Sequence, residues 1–265
     1  MSIIDINARV GSTPGNQPEC MRLILENELH LWYAKVRKTT PAQAERILSM
    51  LSDAERIRYG KLQDAGKRDE FLATRALVRS SLSRYLSLHP SELHFDIDRH
   101  GKPSLNSSCG LEFNLSNTHE LAVCLISSSG PAGIDIEGWK RGADILEVAE
   151  RFLSHAEQEE LSSLEPALRP DRAISLWTLK EAYLKAIGTG LTADPQRVGF
   201  LYEGFIRPRL HVDPSIDARP ARWHFYVGDL MRHRIALAVP FPFREYIRIF
   251  EANQCDDMVC GEGDS

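Results

Sequence analysis

The chain has 265 residues, of which 43% are hydrophobic and 26% charged, and its formal net charge is −5. A chain of this size and composition can form one large globular domain or two smaller ones, and its mild acidity argues against a general nucleic-acid-binding protein. No apolar run approaches the roughly 20 residues that cross a bilayer, and the first residues lack the basic start and apolar core of a secretory signal. Five scattered cysteines fit neither a disulfide framework nor a C-x-x-C metal site. We therefore expect a cytoplasmic protein that binds neither membrane nor nucleic acid.

The first half of the chain is predicted to form a strand, a group of helices and several short strands. Residues 1–27 are rich in polar and turn residues, and we expect them to be a loose lead-in. Thr40-Pro41 and Ser52-Asp53-Ala54-Glu55 are typical helix starts, the second with a capping-box pattern. The spacing of apolar residues predicts an amphipathic helix over 67–88. Its apolar stripe comprises Phe71, Thr74, Val78, Leu82 and Tyr85. Strands are predicted at 28–36, 92–97, 111–115 and 120–127.

The second half repeats this order of elements. Helices are predicted near 143–152, 155–164 and 171–187, and strands near 197–202, 205–211, 222–227 and 233–239. Both halves end in similar apolar strands, LAVCLIS (121–127) and IALAVPF (235–241). The shared order predicts an α+β fold with two lobes of comparable size. We place the lobes at 28–130 and 131–248, followed by a mobile tail at 249–265.

The stretch GIDIE (133–137) places two carboxylates on one face of a strand. Residues i and i+2 of a strand point to the same side, so Asp135 and Glu137 share a face while Ile134 and Ile136 point into the core. Two carboxylates this close raise each other's proton affinity unless a cation lies between them. A hard divalent cation such as Mg²⁺ fits such a pair. The same pattern is also typical of a solvated strand face near a sheet edge.

The helical segment WTLKEAYLK (177–185) adds a third carboxylate and two cations. Glu181 and Lys185 are spaced i, i+4, so they lie one above the other on a face separate from the buried one. Lys180 adds a second cation near them. The segment is either a surface helix whose ion pair contributes about 0.3–0.5 kcal/mol or part of a site for metal and phosphate.

The segment FNLSNTH (113–119) reads as a strand that runs into a polar turn. Ser116, Asn117 and the backbone N–H groups of this turn could hold phosphate oxygens. An ordinary hairpin turn explains the same residues, because Asn and Ser are common turn formers.

Taken together, these segments resemble the 4′-phosphopantetheinyl transferases of the larger, surfactin-synthetase-activating type. The matching text is HGKP (100–103), FNLSNT (113–118), GIDIE (133–137), FLSHAEQEEL (152–161) and WTLKEAYLKAIGTGL (177–191). Single motifs would be modest evidence, whereas their combination in this register is specific. The resemblance covers about residues 50–200. It implies two similar α/β lobes related by pseudo-twofold symmetry, with coenzyme A bound in the cleft between them.

The resemblance also implies roles for individual residues. Asp135, Glu137 and Glu181 would bind Mg²⁺, while Lys185 and Ser116 would contact the coenzyme A phosphates. The other implied coenzyme A contacts lie in the first half, at Arg56, Arg58, Arg99, His100, Gly101 and Lys102. Of these, Lys102 would reach the adenosine end, and Arg58 is preferred over Arg56 for the 3′-phosphate.

Asn117 departs from the family pattern. Many relatives have His at this place, directly after the serine, where it contacts phosphate. Asn can donate a neutral hydrogen bond but carries no charge, so cofactor affinity or its pH dependence is expected to differ. His119 lies two residues further on.

The implied reaction transfers the phosphopantetheine arm of coenzyme A to a serine of an acidic acyl or peptidyl carrier protein and releases 3′,5′-ADP. Glu181 is the candidate base, and Lys185 and Asp135 complete the predicted catalytic set. Carrier contacts are expected among residues after GIDIE, including Trp139, Lys140, Arg141, Arg151 and Phe152. The carrier can come from fatty acid, polyketide or nonribosomal peptide synthesis. We expect a monomer, because two lobes in one chain can already enclose a cleft.

Alternatives remain open for the function of the chain and for the role of one basic surface. The chain could be a coenzyme A-binding module without transferase activity, or an interaction protein whose acidic clusters are solvated faces. A different Mg²⁺-dependent phosphotransferase is disfavoured because the sequence contains no GxxxxGK[ST] loop. Finally, Arg68, Arg75 and Arg79 form a basic stripe on the long helix, which is either solvated or part of a coenzyme A or carrier surface.

Overall fold

The computed structural model describes residues 24, 26–99, 101–105, 110–189, 193–203, 207–242 and 247–252. The first half contains β1 (Leu29–Lys35), α1 (Pro41–Ser49), α2 (Asp53–Gly60), α3 (Ala65–Leu86), β2 (Phe95–Ile97), β3 (Pro103–Leu105), β4 (Glu112–Asn117) and β5 (Leu121–Ser127). The second half contains β6 (Gly133–Gly138), α4 (Gly142–Glu147), α5 (His155–Ser163), α6 (Arg169–Ile187), β7 (Val198–Glu203), β8 (Arg207–Val212), β9 (His224–Leu230), β10 (His233–Val239) and β11 (Ile247–Glu251). The mixed α/β architecture predicted from the sequence is confirmed.

The two halves repeat one topology. With β11 set aside, the described residues of each half form a strand, three α-helices, a two-stranded hairpin and two further strands. In each, the last strand lies between the other two and pairs antiparallel with both, giving the orders β1-β5-β4 and β6-β10-β9. The short hairpins β2-β3 and β7-β8 occupy the same place in the chain order. This repeated connectivity agrees with the two similar lobes that the order of elements predicted.

The strand β11 lies across the predicted boundary between lobe and tail. It pairs in parallel with β1, so residues 247–251 extend the sheet of the first half. The sequence prediction of a mobile tail from 249 is therefore wrong for residues 249–251, since their backbone is hydrogen-bonded into a sheet. Residues 253–265 lie outside the described part of the chain. The strand β3 was also missed, because its three residues follow a turn and contain a proline.

The core has a layered arrangement. Apolar residues of β1 and β5 pack against those of β6 and β10, and Ile134 and Ile136 belong to this central cluster as predicted. On its opposite face the first sheet packs against α3, through residues such as Trp32 and Leu82. The second sheet packs in the same way against α6. Side chains that alternate along β6 therefore point either between the sheets or toward α6.

Helix starts follow local sequence rules. The predicted helix starts at Thr40 and Ser52 are both observed, and Ser52 forms the predicted capping box. Thr40 and Ser154 also form capping boxes, which were not predicted. The long helix α3 buries a wider face than the predicted stripe, because Leu72, Ala76 and Leu77 are also buried. Within the described residues, no helix is both long enough and apolar enough to cross a bilayer.

Candidate active site

A cleft of about 780 Å³ lies at the junction between the two sheets. Its walls are formed by residues 115–120 at the end of β4 and by residues 135–141 from β6 onward, together with Lys67, Glu70, Lys185 and Arg232. The motifs FNLSNT and GIDIE, which are separate in sequence, thus form adjacent walls of one cleft. The cleft brings together the predicted site residues Ser116, Asn117, Asp135, Glu137 and Lys185.

Hydrogen bonds between β4 and β6 join these two walls. The Asn114 side-chain oxygen accepts from the backbone N–H of Ile134 at 2.9 Å. Two residues further along β4, the Ser116 hydroxyl donates to Asp135 Oδ1 at 2.8 Å. Both side chains are buried. Asn114 was not singled out from the sequence, because a buried Asn in a strand gives no local sign of its distant partner.

Gly133 sets the distance between β6 and α6. A Cβ atom at this position would lie 1.9 Å from the backbone oxygen of Ala182 and 2.7 Å from the backbone nitrogen of Ala186. Only glycine therefore allows the helix to approach the strand this closely. The approach places α6, with Glu181 and Lys185, beside Asp135.

The Lys185 ammonium is fully engaged within the protein. It lies 2.6 Å from Asp135 Oδ1, 3.1 Å from Ser116 Oγ and 3.2 Å from the backbone oxygen of Ile134. An ammonium has three N–H donors, so these contacts match its capacity. The second carboxylate oxygen of Asp135, Oδ2, is buried and has no hydrogen-bond partner among the described residues.

Glu137 is held by two donors on its two oxygens. Arg141 donates to Oε2 at 2.7 Å, and the Trp177 indole donates to Oε1 at 3.0 Å. Burial raises the pKa of Glu137 above its usual value and repulsion from Asp135 adds to this rise, while Arg141 and Trp177 oppose it. Arg141 was expected from the sequence only as a carrier contact, yet here it neutralises a carboxylate of the cleft.

Glu181 carries the most perturbed carboxyl group of this region. Burial is the main cause that raises its pKa to about 7, with repulsion from Asp135 and Glu137 in addition and attraction to Lys185 in opposition. The three predicted metal ligands therefore influence one another electrostatically. A bound cation would reduce the repulsion among these three carboxylates.

The donor chemistry fits a hard divalent cation, although the carboxylates are not converged around one point. Oxygen donors are the ligands that Mg²⁺ prefers, and Asp135 Oδ2 is a buried acceptor with capacity to spare. Among the described residues, however, no group of three acidic, histidine or cysteine side chains is arranged to enclose an ion. Protein cations instead occupy one oxygen each of Asp135 and Glu137.

Asn117 contacts a carboxylate on α3. Its amide nitrogen lies 3.3 Å from Glu70 Oε2, and Lys67 lies 2.8 Å from the same oxygen. His119, the residue that could replace the family's histidine, has an exposed side chain 3.5 Å from Glu120. Both His119 and Asn117 line the cleft.

The predicted coenzyme A contacts around HGKP lie beside the cleft and not in its lining. The Lys102 ammonium donates to the backbone oxygen of Lys185 at 2.9 Å, at the end of α6, and burial lowers the pKa of Lys102. Arg99 is exposed, and Gly101 adopts a left-handed φ of 86° in the turn between β2 and β3. His100 lies outside the described residues.

Of the two arginines on α2, one is held by its own loop. Arg56 donates to the backbone oxygens of Leu48 and Leu51 and to Asp53, so its guanidinium joins the ends of α1 and α2. Arg58 is exposed, and it is near enough to Arg75 for repulsion to contribute to the lowered pKa of Arg75. The preference for Arg58 over Arg56 as a 3′-phosphate contact stays a prediction.

Lys180 does not lie in the cleft, contrary to the sequence prediction. Its side chain is 1% exposed and pairs with the fully buried Glu157 at 2.7 Å. It also donates to the backbone oxygens of Pro195 and Val198. The reason is geometric, because adjacent helical residues differ by about 100° in direction, so Lys180 points to a different side of α6 from Glu181, toward α5 and β7.

The basic stripe on α3 is not a solvated face. Arg79 is buried and donates to the backbone oxygens of Pro90 and Leu93 and to Glu55. Arg75 also contacts Glu55, at 3.6 Å. These two arginines thus fasten α2 and the segment after α3 to the long helix, a structural role that neither sequence interpretation included.

Among the predicted carrier contacts, Trp139 and Phe152 differ in accessibility. Trp139 is 48% exposed beside the cleft, whereas Phe152 is buried and packs edge-to-face on Trp177. A buried side chain cannot contact a carrier, so the prediction is wrong for Phe152.

Comparisons with known proteins identify the family of this chain. The family model "4'-phosphopantetheinyl transferase superfamily" matches residues 131–239, which span β6 to β10. The 4′-phosphopantetheinyl transferase HetI of Nostoc sp. is 34% identical over 171 residues, which cover 63% of this chain and 72% of that protein. The 4′-phosphopantetheinyl transferase Sfp of Bacillus subtilis is 31% identical over 156 residues, 59% of this chain and 68% of that protein.

Solved structures give a partial match. The holo-[acyl-carrier-protein] synthase of Thermotoga maritima is 27% identical with a TM-score of 0.33, over 41% of this chain and 61% of that one. The identity and coverage of the sequence relatives, and the motifs that form the cleft, establish the assignment. This chain belongs to the 4′-phosphopantetheinyl transferase superfamily and is an enzyme of that class.

Proposed function

We propose that this enzyme transfers the 4′-phosphopantetheine arm of coenzyme A to a serine of an apo carrier protein. The observation that carries the proposal is one cleft in which Asp135 and Glu137 meet Lys185 and Ser116, with Glu181 electrostatically coupled to both acids. Several relatives are named as transferases of this group, and one solved structure of a holo-(acyl-carrier-protein) synthase is described in complex with CoA (3',5'-ADP).

The reaction is a displacement at phosphorus. The serine oxygen of the carrier forms a bond to the phosphorus on the pantetheine side of the diphosphate, and the bond from that phosphorus to the bridging oxygen breaks. The serine loses its proton to a base, and 3′,5′-ADP leaves with the bridging oxygen. Such a step depends mainly on alignment and neutralisation of charge, for which this cleft is equipped with donors from two walls.

Three carboxylates would hold Mg²⁺, namely Asp135, Glu137 and Glu181. When bound, Mg²⁺ neutralises charge on the diphosphate oxygens. Lys185 and the Ser116 hydroxyl, which already contact each other, would orient the phosphates from the β4 side. Lys102 and Arg58 would contact the nucleotide end, outside the cleft lining.

Glu181 is the residue we assign as the base. A general base works best when its pKa is near the working pH, and the pKa of Glu181 is raised to about 7. Its position on α6, one helical turn before Lys185, keeps it beside the phosphate-binding side of the site. Asp135 Oδ1 instead accepts from Ser116 and Lys185.

The carrier would be a small acidic domain that presents its serine at the cleft mouth. Lys140 and Arg232 line the cleft, and the exposed Trp139 lies beside them, so this rim combines positive charge with apolar surface. A local basic rim can recruit an acidic partner although the whole chain has a net charge of −5. We further propose that the enzyme acts as a monomer in the cytoplasm.

The test is mass spectrometry of a panel of apo-carriers after incubation with enzyme, Mg²⁺ and coenzyme A. We expect at least one carrier to gain the phosphopantetheine mass, and the Glu181→Ala variant to lose this transfer while keeping its fold. Glu159→Ala is the matched control, because Glu159 lies on the exposed face of α5, where it contacts the exposed His155. Binding of coenzyme A without labelling of any carrier would favour the binding-module alternative, and full activity of Glu181→Ala would refute its assigned role.

A further inference from the structure

The Lys185 ammonium would have to move if a metal and a diphosphate were to bind in the cleft. Lys185 makes three contacts, to Asp135, Ser116 and the backbone of Ile134, and thus uses all of its donors within the protein. A phosphate oxygen can gain a hydrogen bond from this ammonium only if one of those contacts is released. Likewise, a metal can use Asp135 Oδ1 only if Lys185 withdraws from it.

Lys185 makes its shortest contact with the Asp135 carboxylate. The contacts to Ser116 and Ile134 are 3.1 and 3.2 Å long, whereas the contact to Asp135 Oδ1 is 2.6 Å. Asp135 is buried and its Oδ2 has no partner among the described residues, so removal of the ammonium would leave an uncompensated buried charge. Buried charges are tolerated only when they are paired or coordinate a metal. Lys185 and a metal that approaches through Oδ2 therefore compete for the charge of one buried carboxylate.

Resting on the proposed function, we propose that Lys185 is the internal counter-ion of Asp135 in the free enzyme, and that it is exchanged for the metal when the diphosphate binds. The diphosphate would draw the ammonium away from Asp135 Oδ1, and Asp135 would then have its full carboxylate charge available to hold the metal. Binding of the diphosphate makes the Asp135 carboxylate available to the metal, and binding of the metal makes Lys185 available to the diphosphate. Metal and coenzyme A then bind cooperatively, and the metal alone binds weakly because it must compete with Lys185.

Part of any cooperativity would arise from direct attraction between the metal and the phosphates, so the test has to isolate the lysine. Binding of Mn²⁺, which uses similar oxygen ligands, is measured by electron paramagnetic resonance in the absence of coenzyme A and carrier. Lys185→Met removes the charge and keeps the length of the side chain. We expect it to tighten Mn²⁺ binding on the order of tenfold, because the carboxylate no longer has to be freed first.

Two further variants control for general electrostatics. Lys67→Met removes another lysine of the same cleft, one that pairs with Glu70 and not with Asp135. We expect it to change Mn²⁺ affinity by less than about threefold, since only long-range repulsion is lost. The double variant Asp135→Asn, Lys185→Met should lose the gain, because the freed oxygen is then neutral.

Unchanged Mn²⁺ affinity in Lys185→Met, or an equal gain in Lys67→Met, would overturn the proposal. Isothermal titration of coenzyme A with and without Mg²⁺ gives a second readout on the unmodified enzyme and on Lys185→Met. The factor by which Mg²⁺ tightens coenzyme A binding should fall in the variant, and an unaltered factor would likewise contradict the exchange. These measurements use no carrier, so failure of the transferase assay and failure of the exchange are separate results.

Discussion

Lys180 provides the most direct test of how the structure separates a fold-stabilising lysine from a functional one. Its ammonium and the Glu157 carboxylate are 1% and 0% exposed and lie 2.7 Å apart. Glu157 also accepts from the backbone N–H groups of Ser154 and Phe200, at 2.7 and 2.8 Å. The pair therefore joins the start of α5, the middle of α6 and the strand β7.

Removal of one partner leaves the other as an uncompensated buried charge, which typically costs about 3–5 kcal/mol. We expect Lys180→Met to lower the free energy of unfolding by this much, and Glu157→Gln to lower it by a similar amount. The double variant Lys180→Met, Glu157→Gln should lose less than the sum of the single changes, because neither charge then remains unpaired. Coenzyme A affinity of folded Lys180→Met should stay within about twofold, a limit set by the distance of Lys180 from the cleft.

Urea unfolding followed by circular dichroism gives the stabilities, and isothermal titration at low temperature gives the coenzyme A affinities. Lys140→Met is the matched control, because Lys140 lines the cleft and is exposed. It should change stability by no more than about 0.5 kcal/mol. The reasoning would be refuted if Lys180→Met kept its stability and lost coenzyme A binding, since the lysine would then act in the site that the sequence first suggested.

Three other predictions concern the packing and the metal. Gly133→Ala should lower the free energy of unfolding by about 1–3 kcal/mol or more, because its new methyl group would meet the backbone of α6; unchanged unfolding in urea would show that the helix can shift freely. Arg79→Met should cost about 3 kcal/mol by leaving Glu55 and two backbone oxygens without their buried partner, and a thermal melt equal to that of the unmodified protein would contradict this. Removal of divalent cations with EDTA should abolish carrier labelling and Mg²⁺ should restore it; labelling that persists after exhaustive dialysis would exclude the proposed metal.

Much of the site could be predicted because the relevant rules act within a single element. Alternation along β6 placed Asp135 and Glu137 on the face opposite Ile134 and Ile136, which lie in the central core. The capping box at Ser52 likewise depends only on residues three apart. Motif order and spacing then indicated the family, which the sequence relatives confirm.

Partners across elements could not be predicted from such local rules. The sequence shows that Lys180 and Lys185 share a helix, but only the packing of α5 and β7 on one side and β6 on the other decides that one is buried with Glu157 and the other reaches Asp135. The helical spacing of Arg79 predicted a place in a basic surface stripe, but in the structure the chain after α3 covers this side chain.

The sequence by itself determined which side chains share a face, where helices begin, and which chemical groups the chain can bring to a cleft. The tertiary structure alone decided the distances between those groups, since Gly133 is informative only once α6 lies against it. It also decided that Lys185 pairs with Asp135 and that Arg141 pairs with Glu137. The physical reason is that periodicity and capping arise from neighbours along the chain, whereas burial and charge pairing arise from neighbours in space.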